Sequence, residues 1–271
     1  LALLAAFSVQ AQQVEPELAD PKPGAQETWN AVKKTTLAWG STDVRYSRSQ
    51  PATGAKALVL DAWRGERVSA QAVLSTPVDL SRVTMEMSDL KCGKSIIPAA
   101  SVRKYFVRYV MTDWHNNKAD SFLLPDHLSP DAEMKVAAHT TRPMWLDIRV
   151  PQDAKPGTYK GMLSVTFDGQ TLSLPLSLQV CSRVLPAPSE WSFHLDLWQN
   201  PYAVARYFNV PLWSQEHFDR MRPIMKLLAD AGEKVITCSI IQHPWNSQTY
   251  DPFESMIAKM RQIDGTWKYD Y

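Results

Sequence analysis

Cysteine is scarce in this chain and poorly placed for chemistry. The 271 residues include only three, Cys92, Cys181 and Cys238, far apart and without a C-x-x-C pair. That excludes a recognisable zinc or redox motif and a disulfide framework, although one bridge between two of them stays open in an exported protein. The six histidines are equally scattered, so metal-ligand spacing is lacking and no cofactor is implied. Charge of one sign is lacking too: 29 Lys and Arg stand against 28 Asp and Glu. Without a basic field there is no case for nucleic acid, and a neutral polar ligand fits better. G-x-S-x-G, H-E-x-x-H and P-loop patterns are missing, which ranks serine-hydrolase and nucleotide chemistry low.

No apolar run is long enough to span a bilayer. The longest candidate, Leu1 to Val9, is too short for that and is followed by small residues at signal-peptidase spacing in Val9-Gln10-Ala11. We read residues 1–11 as the remnant of a secretory signal. It lacks an initiator Met and a basic start, so the N-terminus reads as truncated, with a mature chain beginning near Gln12 in the periplasm or outside the cell. Residues 12–27, rich in Pro, Glu, Asp and Ala, read as a mobile linker.

What is present is a globular composition, 45% hydrophobic and 21% charged, and a change of pattern part-way along. Period-2 alternation marks half-buried strands around Val68–Leu74, Val83–Met87 and Met144–Val150. The runs Tyr159–Phe167 and Leu172–Val180 flank Asp168-Gly169, a hairpin signature. Residues 28–183 therefore read as an all-β antiparallel β-sandwich. Between Val110 and Thr141 the alternation fails, and a long polar insertion carrying Trp114-His115-Asn116-Asn117 and Leu124-Pro125-Asp126-His127 is expected. The Pro-rich stretch 184–190 reads as a linker.

After it, a strand over Phe193–Trp198 is expected to run into a polar loop at Gln199-Asn200-Pro201. A helix capped by Ser214 follows, kinked or split at Pro223 and closed by Gly232. Lys234–Ile241 reads as a strand buried on both faces, Pro252–Met260 as a helix, and Trp267–Tyr271 as a third strand after Asp264-Gly265. Residues 191–271 thus read as the opening β/α units of a truncated TIM-like (β/α)8 barrel. The strand ends would place His194, Asp196, Trp198 and Gln199, then His243 and Trp245, then Tyr269 and Asp270, at the barrel mouth as substrate-binding residues. Indole faces suit sugar rings, and carboxylates and amides suit hydroxyls. Each has a structural alternative, packing for the indoles and internal hydrogen bonding for the polar groups. The acids near strand ends, Asp196, Asp251 and Asp270, form no close pair in sequence, so no residue of the chain is named as catalytic.

Several runs carry a resemblance: Trp191–Tyr207, Met221–Thr237, Pro244-Trp245, Asp264–Tyr271, and upstream Pro125–Leu128, Arg142–Trp145 and Val150–Gly161. In this order they resemble glycoside hydrolase family 123, of the kind secreted by Bacteroidota. The resemblance implies a glycosidase that acts on β-linked N-acetylgalactosaminides with the substrate's acetamido group as nucleophile. An adjacent Asp-Glu pair would orient that group and move the proton. No Asp-Glu dipeptide occurs in the sequence, so the pair is expected beyond Tyr271 and this fragment is expected to be inactive. A non-catalytic carbohydrate-binding or scaffold protein of the same architecture is the alternative.

Overall fold

The computed structural model describes residues 16–24, 26–113, 118–241, 256 and 258–270. The chain divides into two compact units, Leu1–Leu185 and Pro186–Tyr271.

In the first unit the alternating runs become two sheets. Among the described residues, one is five-stranded, in the order β1 (Thr36–Gly40), β3 (Arg67–Thr76), β10 (Thr140–Arg149), β7 (Val102–Thr112), β8 (Phe122–Ser129). The other runs β2 (Leu58–Arg64), β12 (Gln170–Val184), β11 (Gly157–Phe167), β4 (Leu80–Met87), β9 (Glu133–Val136), with the short β5 (Leu90–Cys92) and β6 (Ser95–Ile97) beside β11. All of these ladders are antiparallel except β2 on β12, which is parallel. The sandwich expected from the sequence is present.

Its core joins Leu74, Phe106, Met144, Leu146 and Ile148 of the first sheet to Val83, Met85, Leu163, Val165, Leu176 and Leu178 of the second, all buried. Each such side chain contributes about 1.5–3 kcal/mol relative to exposure. Trp39 sits in the same core and donates its indole N–H to the Pro175 carbonyl at 2.9 Å, which satisfies the one polar atom it buries. The β11–β12 hairpin closes at Phe167 opposite Gln170. Asp168 and Gly169 have φ of 43° and 79°, the two positive values that a tight right-twisted hairpin turn needs.

The expected polar insertion between Val110 and Thr141 is corrected. Phe122–Ser129 pairs with β7, and Glu133–Val136 pairs with β4. Pro125 interrupts the alternation, yet it is tolerated because β8 is an edge strand, where a missing N–H faces no partner. Trp114, His115, Asn116 and Asn117 lie outside the described residues.

The outer face of the five-stranded sheet is also covered. Gln71 donates to the carbonyls of Ser41 and Val44, Tyr109 donates its hydroxyl to the Tyr46 carbonyl, and Thr141 donates to the carbonyls of Arg48 and Gln50. Side chains of three strands thereby hold the 41–50 segment down, and β3 is buried on both faces from Ala70 to Thr76. Beside it, Arg142, only 3% exposed, pairs through both terminal nitrogens with the Glu17 carboxylate at 2.5 and 2.9 Å and lies over the Tyr109 ring. Composition alone gave no sign that Glu17, in the Pro/Glu/Asp-rich segment, is anchored.

In the second unit the helix expected after Ser214 forms as α2 (Gln215–Asp230), with the Ser214 hydroxyl accepting from the His217 N–H at 3.2 Å. It passes Pro223 without splitting. Pro223 and Asp219, whose carbonyl loses its partner, are both exposed, so water can satisfy that oxygen. Gly232 follows the helix at φ 105°, and a Cβ there would stand 2.7 Å from the Trp191 ring. The polar loop expected at Gln199-Asn200-Pro201 is instead the start of a helix, α1 (Pro201–Phe208). Asn200 caps the N–H groups of Tyr202 and Ala203, and Pro201 takes the first helical position. Buried His217 ties α1 to α2, its Nδ1 accepting from the Trp213 N–H and its Nε2 meeting the Pro201 carbonyl at 2.9 Å.

The barrel strands expected over Phe193–Trp198 and Lys234–Ile241 do not form ladders among the described residues. A strand exists only with a hydrogen-bonded neighbour. Apolar runs supply side chains but no partner, and Phe193, Ile236, Ile240 and Ile241 remain exposed. Of the expected helix Pro252–Met260, residues 252–255 and 257 lie outside the described residues, Met256 is a bend, and 258–260 are strand. There β13 (Ala258–Arg261) forms an antiparallel hairpin with β14 (Trp267–Asp270) across Asp264-Gly265, not the parallel neighbour of a barrel.

Candidate functional site

The extended segment before α1 and the one after α2 carry the candidate site. Gly232 ends α2 sharply, and the chain then runs past Asp196. The Thr237 hydroxyl donates to Asp196 Oδ1 at 2.7 Å, and the Trp198 indole N–H donates to Oδ2 at 3.0 Å. The Asp196 carboxyl is fully exposed, and it titrates below the ordinary aspartate value, first because of the Thr237 hydroxyl, then the Trp198 indole, with the charge of His194 adding to both. His194, Asp196 and Trp198 thus lie together as the sequence suggested, with Thr237 as a partner it did not suggest.

This environment decides what Asp196 can do. A general acid at a glycosidic oxygen needs its pKa raised by burial or a like charge. Asp196 moves the other way and stays an acceptor through neutral pH. Trp198 is 60% exposed, with its ring held at the N–H edge, so an indole surface and a carboxylate are presented side by side.

Gln199 is turned differently. Its Nε2 donates to Glu233 Oε1 at 2.8 Å, and the same oxygen takes the Leu197 N–H at 3.1 Å. Glu233 is buried, and Gln199 Oε1 is sealed from solvent without a donor among the described residues. Glu233 and Thr237 were missed by the sequence reading. The available signals were an acid directly after the helix-closing glycine and a hydroxyl inside an otherwise apolar run. His243 and Trp245, like Asp251, lie outside the described residues. Tyr269 and Asp270 fall on β14, opposite Lys259 and Ala258 in the hairpin register. The three cysteines are all unpaired, and no helix among the described residues is long and apolar enough to cross a membrane.

A family model described as the glycoside hydrolase 123 N-terminal domain matches residues 39–167, and another, described as the glycoside hydrolase 123 catalytic domain, matches residues 198–271. The chain belongs to glycoside hydrolase family 123. A solved family 123 glycoside hydrolase from Clostridium perfringens, analysed for glycolipid glycan hydrolysis, matches with a TM-score of 0.81 at 25% identity, over 88% of this chain and 43% of that one. This family 123 chain therefore spans less than half the length of that enzyme. The PapD-like domain 7 of human CEP192 matches with a TM-score of 0.26 at 13% identity, over 62% of this chain and 95% of that one. The CooA pilin subunit of enterotoxigenic Escherichia coli matches with a TM-score of 0.29 at 11% identity, over 56% and 99%. Neither bears on the argument at such scores. Comparison with curated proteins gave no match. Within the family 123 catalytic match fall Trp198, Gln199, His243, Trp245, Tyr269 and Asp270, while His194 and Asp196 stand just before it.

Proposed function

We propose that this family 123 chain is part of an exported, exo-acting glycosidase that removes β-linked N-acetylgalactosamine from glycans or glycolipids, with retention and with the acetamido group of the substrate as nucleophile. The observation that carries this reading is the catalytic-domain match over residues 198–271. The exposed Asp196 carboxylate beside the Trp198 indole supports it, since together they offer an acceptor for sugar hydroxyls and a stacking face. Asp196 binds in this proposal and does not donate the proton. We assign the proton transfer to an Asp-Glu pair beyond Tyr271, which fits the lack of such a dipeptide in the sequence.

The test compares release of the aryl alcohol from an aryl N-acetyl-β-galactosaminide by the 271-residue chain and by a chain extended through the following coding sequence. The short chain is expected to be inert and the extended one active. Turnover by the short chain would remove the case for a pair beyond Tyr271. A non-catalytic carbohydrate-binding protein of the same architecture is the second reading, favoured by the same missing dipeptide. An extended chain that binds the sugar without hydrolysing it would establish that reading instead.

A further inference from the structure

A cavity of about 270 Å³ opens on the outer face of the five-stranded sheet, well away in sequence from Asp196 and its partners. Its floor is built from buried residues, Gln71 and Val107 with Pro125, and its rim from the exposed Arg45 and Asp126, while half-buried Trp145 lies opposite Gln71 in the β3–β10 register. The volume lies just under the lower end of small-molecule sites, about 300 Å³, which suits one ring and not a chain of them.

Gln71 is the decisive residue. It is 4% exposed, and its Nε2 donates to the Ser41 carbonyl at 2.6 Å and the Val44 carbonyl at 3.1 Å. Two carbonyl acceptors fix which end of the amide is nitrogen. The Oε1 that remains takes no donor among the described residues and is not sealed from solvent. It stays open to the cavity, with its amide orientation fixed by the two carbonyls, so it is set up to accept from something that enters.

The rim repeats the theme. Arg45 and Asp126 line the same cavity, yet among the described residues their side chains make no ion pair with each other and no hydrogen bond with any other group. The Trp145 indole N–H is likewise without an acceptor among the described residues. An acceptor at the floor, a donor and an acceptor of opposite charge on the rim and an indole in the same lining match the alternating hydroxyls and apolar C–H face of a sugar. The two rim charges cancel, which disfavours an ionic ligand. We propose that this cavity is a non-catalytic carbohydrate site on the sandwich, taking one neutral pyranose ring of a glycan. It stands apart from the proposed hydrolysis and would hold whether or not that reading does.

The test titrates the full 271-residue chain with methyl β-D-galactopyranoside, methyl β-D-glucopyranoside, methyl N-acetyl-β-D-galactosaminide and, as an anionic comparison, the methyl glycoside of sialic acid. The readout is the Trp145 indole N–H resonance, assigned by its loss in Trp145→Phe. At least one neutral glycoside is expected to shift it saturably, with Kd on the order of 1 mM for so small a ligand in a half-open site. Asp126→Ala and Arg45→Ala are each expected to weaken binding at least about tenfold, the size of one lost hydrogen bond to a charged group. Thermal unfolding should stay unchanged, because neither side chain has a hydrogen-bond or ion-pair partner among the described residues. No saturable shift with any neutral glycoside, undiminished binding in either variant, or binding of the sialoside alone would overturn the proposal.

Discussion

Replacing Glu17 by alanine strands Arg142. In the native fold Arg142 is 3% exposed and its guanidinium donates to both Glu17 oxygens, at 2.5 and 2.9 Å, while Glu17 also accepts the Tyr109 N–H at 2.9 Å. After the change Arg142 keeps the Val107 carbonyl at 2.9 Å, but its charge and the Tyr109 amide lose their partner. Removing one member of a buried pair costs about 3–5 kcal/mol. The Glu17 side chain is 14% exposed, so water can reach the vacated place, and a loss of about 2–4 kcal/mol is expected. Equilibrium urea denaturation at neutral pH, followed by far-ultraviolet circular dichroism, measures it. A double variant, Glu17→Leu with Arg142→Met, should recover most of the loss, since both charges leave together. Acid adds a second readout. Burial raises the Glu17 pKa, but the Arg142 hydrogen bond and charge, the Tyr109 N–H and Arg48 outweigh it, and the net shift is downward from 4.5. The carboxylate therefore stabilises the fold above its unfolded value, and that contribution is lost as pH falls through the lower folded value. The gap between wild type and Glu17→Ala should narrow in that window. A loss below about 0.5 kcal/mol at neutral pH, the worth of an exposed ion pair, would refute the reasoning.

Gly232→Ala should destabilise the second unit by about 1–3 kcal/mol, because it forces a side chain into a left-handed backbone at φ 105° and against the Trp191 ring; wild-type protection of the α2 C-terminus in amide exchange would contradict this. The Trp198 indole N–H resonance should titrate with Asp196, with a midpoint below the ordinary aspartate value of 3.8. A midpoint at or above it, or no change in Thr237→Val, would break the link between the hydroxyl and the carboxylate.

The sandwich was legible because its strands write their burial into period-2 alternation, and Asp168-Gly169 names its turn by chemistry that few other residues can supply. β8 was hidden because Pro125 interrupts the pattern, and only its place at the sheet edge makes that harmless. The Asn200 cap was read as loop, since Asn-Pro signals a turn as readily as a helix start. At the candidate site, His194, Asp196 and Trp198 could be grouped because they share one face of one segment. Glu233 and Thr237 could not, since their partners are more than thirty positions away and nothing local marks the pairing. The expected barrel strands form no ladder among the described residues for a related reason: an apolar run reports a wish for burial, and a ladder needs a second chain segment that the run does not encode.

The parallel seam between β2 and β12, with Leu58 opposite Leu176 and Ala62 opposite Val180, sets a schedule for the ribosome. At about 5–20 residues per second, on the order of ten seconds pass between the synthesis of Arg64 and that of Val184. For that interval β2 has no strand to pair with, and Val59, exposed even in the finished fold, sits on a bare edge that could recruit a neighbouring nascent chain. The sandwich can close only when its last strand arrives, so a holding chaperone during synthesis or export would act on the first third of the chain.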